Sequence, residues 1–160
     1  MIVHFICKGN AYRSRLAEAY FNSKKLSNFR AISSGVEEEK HKEENGPISW
    51  AAERILQNNS LISYMSNFSK QTTKNLLNKS DFIVFMSQEY LNYCKQKLTY
   101  KSTDYDVWEI KDFGGFGITA GYKSREQELK KIEISEKTFE EIKDRIDKLI
   151  QKINKNSGQS

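Results

Sequence analysis

The sequence predicts an α/β fold of three layers, in which helices cover both faces of a four-stranded parallel sheet. Strand-like and helix-like segments alternate along the chain with no internal repeat. The first segment, residues 2–6 (IVHFI), is apolar except for His4, which is typical of a strand buried on both faces. The length of 160 residues suits one domain, which we expect over residues 1–154, with a frayed tail at 155–160.

The first strand is followed by signals for a loop, a helix and a second strand. Residues 7–13 contain a glycine and form the predicted loop. A helix is expected over residues 14–25, with Ser14 as its N-cap. Residues 29–33 predict a short second strand that runs up to Gly35.

The remaining elements alternate in the same way. Residues 36–47 (VEEEKHKEENGP) are charged throughout and predict a loop, which ends at Pro47, a residue that favours the first turn of a helix. The later elements are predicted at 48–56 (helix), 69–78 (short helix), 81–86 (strand), 87–98 (helix), 105–110 (strand), 111–117 (loop) and 125–154 (long amphipathic helix).

The composition excludes several classes of protein. Two cysteines, Cys7 and Cys94, cannot build a disulfide scaffold or an all-cysteine zinc site. Two histidines, His4 and His41, are too few for a histidine-based metal centre. No apolar run approaches the roughly 20 residues that cross a bilayer, and residues 1–7 lack the basic start and the length of a signal peptide. We therefore expect a cytoplasmic protein that needs no metal or organic cofactor and binds no membrane.

The charge is positive and unevenly distributed. The net charge is +5, yet residues 1–34 carry six Lys/Arg against a single acid, Glu18, while residues 36–45 carry five Glu against two Lys. A basic patch near the start of the chain suits a small anion at least as well as a polymer. Residues 123–160 carry ten positive and eight negative charges, which indicates a salt-bridged helix face and no nucleic-acid surface.

The loop after the first strand has the residues of an anion-binding nest. Ligands of open parallel sheets bind at the carboxyl ends of the strands, which is where this loop lies. Its backbone N–H groups and the positive end of the following helix favour an oxyanion of phosphate size. Gly9 permits unusual backbone angles, Asn10 tolerates left-handed geometry, and the Arg13 guanidinium pairs with two phosphate oxygens.

The positive electrostatic field of these groups also acts on Cys7, the last residue of the first strand. A thiol at a helix N-terminus beside a guanidinium loses its proton more easily, and a hydroxyl such as that of Ser14 stabilises the thiolate. The alternative is a buried strand-end cysteine with no function. The joint presence of Gly9, Asn10 and Arg13 at these positions favours a nucleophile beneath an anion cradle.

At these residues the chain resembles the low-molecular-weight protein tyrosine phosphatase family. The family signature is Cys-x-Gly-Asn-x-Cys-Arg-Ser-Pro followed by a helix that opens with Ala-Glu, and residues 7–18 read CKGNAYRSRLAE. The resemblance implies a flavodoxin-like topology and a phosphomonoester hydrolase acting through a phosphocysteine. The residues it places in the phosphate-binding loop are Cys7 as nucleophile, Arg13 as phosphate clamp, Ser14 as thiolate stabiliser, Asn10 as brace, and Lys8, Gly9, Ala11 and Tyr12 in the remaining positions.

The resemblance continues along the chain. Its later matches are Ser33-Ser34-Gly35, Gly46-Pro47, Ser69-Lys70-Gln71 and the apolar strand that ends in Met86. By position Asp112 matches the family's general acid, although Asp104 and Asp106 are nearby competitors. Phe113 is then expected to form an aromatic wall against the leaving group, or else simply to plug the edge of the domain.

The chain departs from the family pattern at several positions. Tyr12 replaces the second loop cysteine, Arg15 replaces the following proline, and Phe113 replaces the proline after the acid. Asn67 stands where some relatives carry a histidine that bonds the loop asparagine, and we expect it to take part of that role. The acidic loop lacks its usual aromatic residue, for which Trp50 is the expected substitute.

Phosphotyrosine in a protein, or another small phosphomonoester, is the expected substrate, and the expected state is a monomer or weak homodimer. An arsenate reductase of the same scaffold would need further cysteines, and only Cys94 lies downstream. A protein-arginine phosphatase remains an alternative, because Ala11 is neither the bulky residue nor the threonine associated with the two substrates in the family. A module that binds phosphoproteins without turnover would be expected to lack the nucleophile or the acid.

Overall fold

The computed structural model describes residues 1–119 and 121–157, except for the side chains of residues 44, 45, 156 and 157. Four parallel strands form one sheet in the order β2-β1-β3-β4, which confirms the predicted fold class. The strands are β1 (Ile2–Cys7), β2 (Arg30–Gly35), β3 (Phe82–Phe85) and β4 (Tyr105–Val107).

In the described part of the chain, six α-helices connect and cover the strands. They are α1 (Arg13–Ser23), α2 (Glu38–Asn45), α3 (Trp50–Asn58), α4 (Lys74–Asn78), α5 (Gln88–Lys97) and α6 (Arg125–Ser157). Single 3₁₀ turns lie at Ile62–Tyr64 and Phe113–Phe116. The helix α6 continues past the predicted end at residue 154 as far as Ser157, and residues 158–160 of the predicted frayed tail lie outside the described residues.

The strand order positions the site. The chain moves from β1 to β2 on one side and from β3 to β4 on the other. Right-handed crossovers therefore place α1 and α5 on opposite faces of the sheet. On one face, α1, α3 and α6 pack against one another. The central strand β1 lies at the point where the order reverses, and its register brings Cys7 beside Gly35 at the carboxyl edge. This is the edge at which ligands bind in such sheets.

The predicted charged loop at 36–47 is wrong, because residues 38–45 are helical. The sequence of this helix has no apolar face, because the buried residue among its described side chains is Glu38, a carboxylate. Glu38 is 3% exposed and accepts a hydrogen bond from the Ser69 hydroxyl, and the Glu39 amide donates to the Gln71 side chain at 3.2 Å. Gly46 ends the helix with φ +67. Tertiary partners from a distant segment stabilise α2, and such partners leave no periodic signal in the sequence.

Several predicted boundaries also differ. The helix α3 begins at Trp50 because Ser49 caps it, with its hydroxyl accepting from the Ala52 amide at 3.2 Å. Thr73 caps α4 in the same way, so that helix is shorter than predicted. The strand β4 is shorter than the predicted 105–110, since Glu109 adopts the left-handed region at φ 51.

His4 is the one polar side chain of the central strand, and it is buried completely. Its Nε2 lies 2.7 Å from the Ser34 hydroxyl and its Nδ1 lies 3.0 Å from the Ser80 hydroxyl. Burial, with a smaller contribution from the Lys70 charge, lowers the pKa of His4 to about 3. The imidazole is therefore a neutral structural group that links β1 to two neighbouring segments.

We predict that His4 makes the fold sensitive to acid. Its unfolded pKa is about 6.5, so between about pH 6.5 and 3 the unfolded chain binds a proton that the folded chain does not. Stability then falls as the pH falls, by up to about 1.4 kcal/mol per pH unit from this group. Urea unfolding at pH 7.5 and pH 5 should show a smaller loss for His4→Gln than for the wild type. Equal losses in the two proteins would contradict the prediction.

Candidate active site

The loop between β1 and α1 turns its carbonyl groups outward. The carbonyls of Cys7 and Lys8 accept hydrogen bonds from the amides of Val36 and Glu37, at 3.1 and 2.9 Å. The carbonyl of Ala11 accepts from the Ser49 amide at 2.8 Å. All described peptide bonds are trans, and across a trans peptide the N–H of the next residue points opposite to the carbonyl. The amides that follow these three carbonyls, those of residues 8, 9 and 12, therefore point to the inside of the loop.

The helix α1 adds a further amide and its positive end. The carbonyl of Tyr12 accepts from the amides of Arg15 and Leu16, so the Arg13 amide points out of the helix toward the loop. Converging amides at the start of an eleven-residue helix favour a tetrahedral oxyanion. The loop at residues 7–13 thus has amides arranged as an anion cradle would need them.

Asn10 braces the loop from within. It is fully buried and has φ 52, as expected for a residue that tolerates left-handed geometry. Its amide nitrogen donates to the hydroxyls of Ser14 and Ser33, both at 2.9 Å, and its oxygen accepts from the Lys70 amide at 2.8 Å. The prediction that Asn67 bonds Asn10 is wrong, because Asn67 is exposed. The Lys70 amide and the Ser33 hydroxyl bond Asn10 instead.

Gly9 and Gly35 lack a side chain at points where neighbouring atoms pack too closely around the loop for a Cβ. A Cβ on Gly35 would lie 2.5 Å from the Asn10 nitrogen and 2.5 Å from the Lys8 oxygen, so β2 and the loop touch backbone to backbone. A Cβ on Gly9 would lie 3.0 Å from the Cβ of His41 in α2. The expectation that Gly9 supplies a special backbone angle is not met, because its φ is not positive. Close packing accounts for both residues.

Cys7 lies at the bottom of the cradle, 3% exposed. Its Sγ is 2.9 Å from the Ser14 hydroxyl, which also accepts from Asn10. The prediction that Ser14 caps the helix is wrong: α1 begins at Arg13, Tyr12 occupies the N-cap position without a side-chain cap, and the Ser14 hydroxyl bonds the sulfur. Since the Ser14 oxygen already accepts from Asn10, its own hydrogen is free to be donated to a thiolate.

Arg13 lies between the cradle and the loop after β4. Its Nη1 donates to the Ile110 carbonyl at 2.7 Å, and its Nη2 donates to the Tyr90 hydroxyl at 2.9 Å. Burial by itself lowers the pKa of Arg13, but Asp112, Tyr90 and Cys7 outweigh it and the net shift is upward. The guanidinium is therefore always charged. Among the described residues none accepts from its buried Nε, so the Nε–H group is free to donate to an anion.

Asp112 contacts the same guanidinium. Its Oδ2 lies 2.7 Å from Nη2 of Arg13, and its side chain is 42% exposed, at the mouth of the cleft. Its Oδ1 accepts from the Phe113 amide at 2.8 Å. The competing candidates lie elsewhere: Asp104 bonds Ser102, and Asp106 bonds Trp108. Of the three, Asp112 is the one the structure brings to Cys7 and Arg13.

A cleft of about 640 Å³ opens above Cys7. Aromatic residues form part of its walls, with Tyr12 and Phe113 stacked at 4.5 Å between ring centroids and Trp50 42% exposed. The predicted loop residues that line it are Cys7, Lys8, Gly9, Ala11, Tyr12 and Arg13. This volume exceeds what a phosphate group fills and leaves room for a side chain that carries it.

A buried charged network lies on α1, and the sequence does not predict it. Arg15 and Glu18 are 1% and 2% exposed and form an ion pair at 3.8 Å. Glu18 also accepts from the Ser33 hydroxyl at 2.5 Å and from the Ser66 amide at 3.0 Å. Arg15 donates to the Ser66 carbonyl at 2.9 Å. One signal was available, since Glu18 is the single acid among residues 1–34.

Cys94 takes no part in the site. It is fully buried in α5, and burial raises the pKa of its thiol to about 12. Such a thiol stays protonated and does not relay electrons to Cys7.

Tyr90 is a further site residue that the sequence does not predict. It lies on the same helix, α5, and its hydroxyl accepts a hydrogen bond from Arg13. No feature of the sequence indicates this contact.

Comparisons with known proteins agree with this geometry. The family model described as low molecular weight phosphotyrosine protein phosphatase matches residues 2–159. A low molecular weight protein tyrosine phosphatase from T. tengcongensis is 27% identical, with a TM-score of 0.71 over 95% of this chain and 99% of that one. The YwlE arginine phosphatase from Geobacillus stearothermophilus is 17% identical, with a TM-score of 0.75 over 99% and 96%. A search of curated proteins gave no match.

We predict that Gly35→Ala damages the cradle. The new Cβ meets backbone atoms, which cannot rotate away, so the loop must shift. We expect a loss of about 1–3 kcal/mol in the free energy of unfolding and a marked weakening of inhibition by inorganic phosphate. For the unfolding measurement Gly114→Ala is the matched control, because a Cβ there meets nothing within 4 Å. Wild-type stability and phosphate affinity in Gly35→Ala would show that the loop tolerates the methyl group.

Proposed function

This chain belongs to the low molecular weight phosphotyrosine protein phosphatase family, a family of cysteine-dependent phosphatases, and from that premise we propose that it hydrolyses phosphotyrosine with Cys7, Arg13 and Asp112. The observation that carries the proposal is the meeting of three elements at one point. The strand β1 brings a thiol, α1 brings a buried guanidinium, and the loop after β4 brings a carboxyl group 2.7 Å from that guanidinium.

In the first step the Cys7 thiolate attacks phosphorus from below. The sulfur–phosphorus bond forms as the phosphorus–oxygen bond to the leaving group breaks. Arg13 and the inward amides of the loop hold the three equatorial oxygens. Protonated Asp112 gives its proton to the departing phenolate oxygen, which leaves as a neutral phenol. The products of this step are phospho-Cys7 and an Asp112 carboxylate.

In the second step water attacks the phosphocysteine. The Asp112 carboxylate takes one proton from that water, and the new oxygen–phosphorus bond forms as the sulfur–phosphorus bond breaks. Cys7 leaves as a thiolate, which the Ser14 hydroxyl at 2.9 Å stabilises. Release of phosphate restores the starting enzyme.

The aromatic walls support an aryl substrate. Tyr12 and Phe113 present stacked rings beside Asp112, and Trp50 lies on the side of the cleft that α3 forms. Flat apolar walls contact a phenyl ring over a large area at little entropic cost. The proposal further includes a cytoplasmic location, which two free thiols support, and a monomer or weak homodimer. Among the described residues no helix combines the length and apolar character of a bilayer span.

We predict a phosphocysteine intermediate on phosphotyrosine. The enzyme is mixed with a phosphotyrosine peptide and quenched in acid during turnover. Mass spectrometry of the digest should then locate phosphate on the peptide that contains Cys7. Cys7→Ala provides the control and should carry none. In parallel kinetics, a higher kcat/KM for a phosphoarginine peptide than for the phosphotyrosine peptide would contradict the proposed substrate and leave the nucleophile in place.

We predict that Asp112→Asn slows the release of poor leaving groups. Without a proton donor the phenolate must depart as an anion, so kcat/KM for phenyl phosphate, which reports the first step, should fall about 100-fold or more. The loss should be much smaller for p-nitrophenyl phosphate, whose phenolate is stable without protonation. Asp104→Asn is the matched control, since Asp104 bonds Ser102 away from the cleft. Full activity of Asp112→Asn on both substrates at every pH would exclude this residue as the acid.

A further inference from the structure

Two neighbouring residues of the phosphate loop contact two neighbouring residues of the acid loop. Arg13 forms its ion pair with Asp112 at 2.7 Å. Beside it, the ring of Tyr12 stacks on the ring of Phe113, with centroids 4.5 Å apart and an angle of 11° between planes. Tyr12 and Phe113 both differ from the residues of the family signature at their positions, and the structure places their two rings in direct contact.

The two contacts respond differently during the proposed reaction. A bound phosphate group accepts hydrogen bonds from the Arg13 guanidinium and so competes with Asp112 for it. The Asp112 carboxyl group is also uncharged whenever it carries the proton that it donates. The ion pair is therefore weakest at the moment when the acid acts. The Tyr12–Phe113 stack involves no charge, so neither event weakens it.

The stack is firmly supported on the Tyr12 side. Tyr12 is 6% exposed, and its hydroxyl lies near Thr138 of α6. Burial is the main reason that the pKa of its phenol lies above the ordinary value, so the ring is uncharged at neutral pH. The ring is held by its burial and by the phosphate loop, where the amide of Tyr12 belongs to the cradle.

The stack reaches the acid through one residue. The Phe113 amide donates to Asp112 Oδ1 at 2.8 Å, so the place of Phe113 fixes the rotamer of Asp112. Gly114, Gly115 and Gly117 follow, and such glycines give the loop little stiffness of its own. The stack therefore adds a side-chain contact to the backbone hydrogen bonds of the 3₁₀ turn that follows Asp112.

We propose, on the basis of the function proposed above, that Tyr12 is a positioning residue for the general acid. Its ring holds Phe113, and through Phe113 it keeps Asp112 over the leaving group when the bond to Arg13 is released. This role belongs to the side chain of Tyr12 and is separate from the anion binding of its backbone amide.

The test uses Tyr12→Leu and compares leaving groups. We expect kcat/KM for phenyl phosphate to fall about three- to tenfold, which is what loss of one aromatic contact corresponds to. The fall for p-nitrophenyl phosphate should be smaller, and inhibition by inorganic phosphate should keep its wild-type constant. Tyr12→Phe retains the ring and should restore the wild-type ratio of the two rates.

A double-mutant cycle separates positioning from a general effect on the loop. In the Asp112→Asn background Tyr12→Leu should cause no further loss on phenyl phosphate, since the group that it positions is absent. Multiplicative losses, equal losses on both substrates, or weaker phosphate inhibition in Tyr12→Leu would each overturn the proposal. If Tyr12→Leu fails to fold, Phe113→Leu removes the same contact from the other side and should show the same leaving-group signature. The absence of any leaving-group effect in Asp112→Asn alone would instead overturn the proposed function.

Discussion

The outward bonding of the loop carbonyls is the constraint on which the site depends. A row of amides aimed at one point is costly unless their carbonyls are satisfied elsewhere. Here the start of α2 and the cap of α3 supply the donors, at Val36, Glu37 and Ser49. These helices are therefore parts of the anion site, although neither contributes a reacting group. The backbone contact at Gly35 completes the arrangement, because β2 cannot come this close to the loop with a side chain present.

The electrostatic balance of the site centres on Arg13. With no substrate bound, the Asp112 carboxylate neutralises part of its charge at 2.7 Å. A bound phosphate dianion shares this guanidinium with the Asp112 carboxylate, so anion binding competes with the Arg13–Asp112 ion pair. After proton transfer the carboxylate regains its attraction to Arg13 as the leaving group departs. One arginine thus links anion binding to the contact that holds the acid loop.

Local sequence signals predicted the sheet and the long helices, and they failed where distant contacts decide the structure. Apolar β1 and the loop at 7–13 carry their information within a few adjacent residues, whereas Asp112 lies beyond the end of β4 and is proposed as the acid from its match to the family pattern. The helix α2 has a carboxylate as its buried residue, and its partners Ser69 and Gln71 lie far along the chain. The Arg15–Glu18 pair could not be predicted for the same reason. Two charged residues in a helix usually indicate a solvent-exposed face, and only the folded chain shows that Ser33 and Ser66 bond this pair in the interior.

The long helix α6 unites the two halves of the site. It packs on α1, whose first turn is part of the cradle, and Tyr20 of α1 bonds Asp147 at 3.1 Å. Near its start, Lys131 donates to the Gly121 carbonyl at 3.2 Å and so ties down the segment that follows the acid loop. Between these points Thr138 faces Tyr12. One helix therefore joins α1, which carries Arg13, to the segment that follows the acid loop.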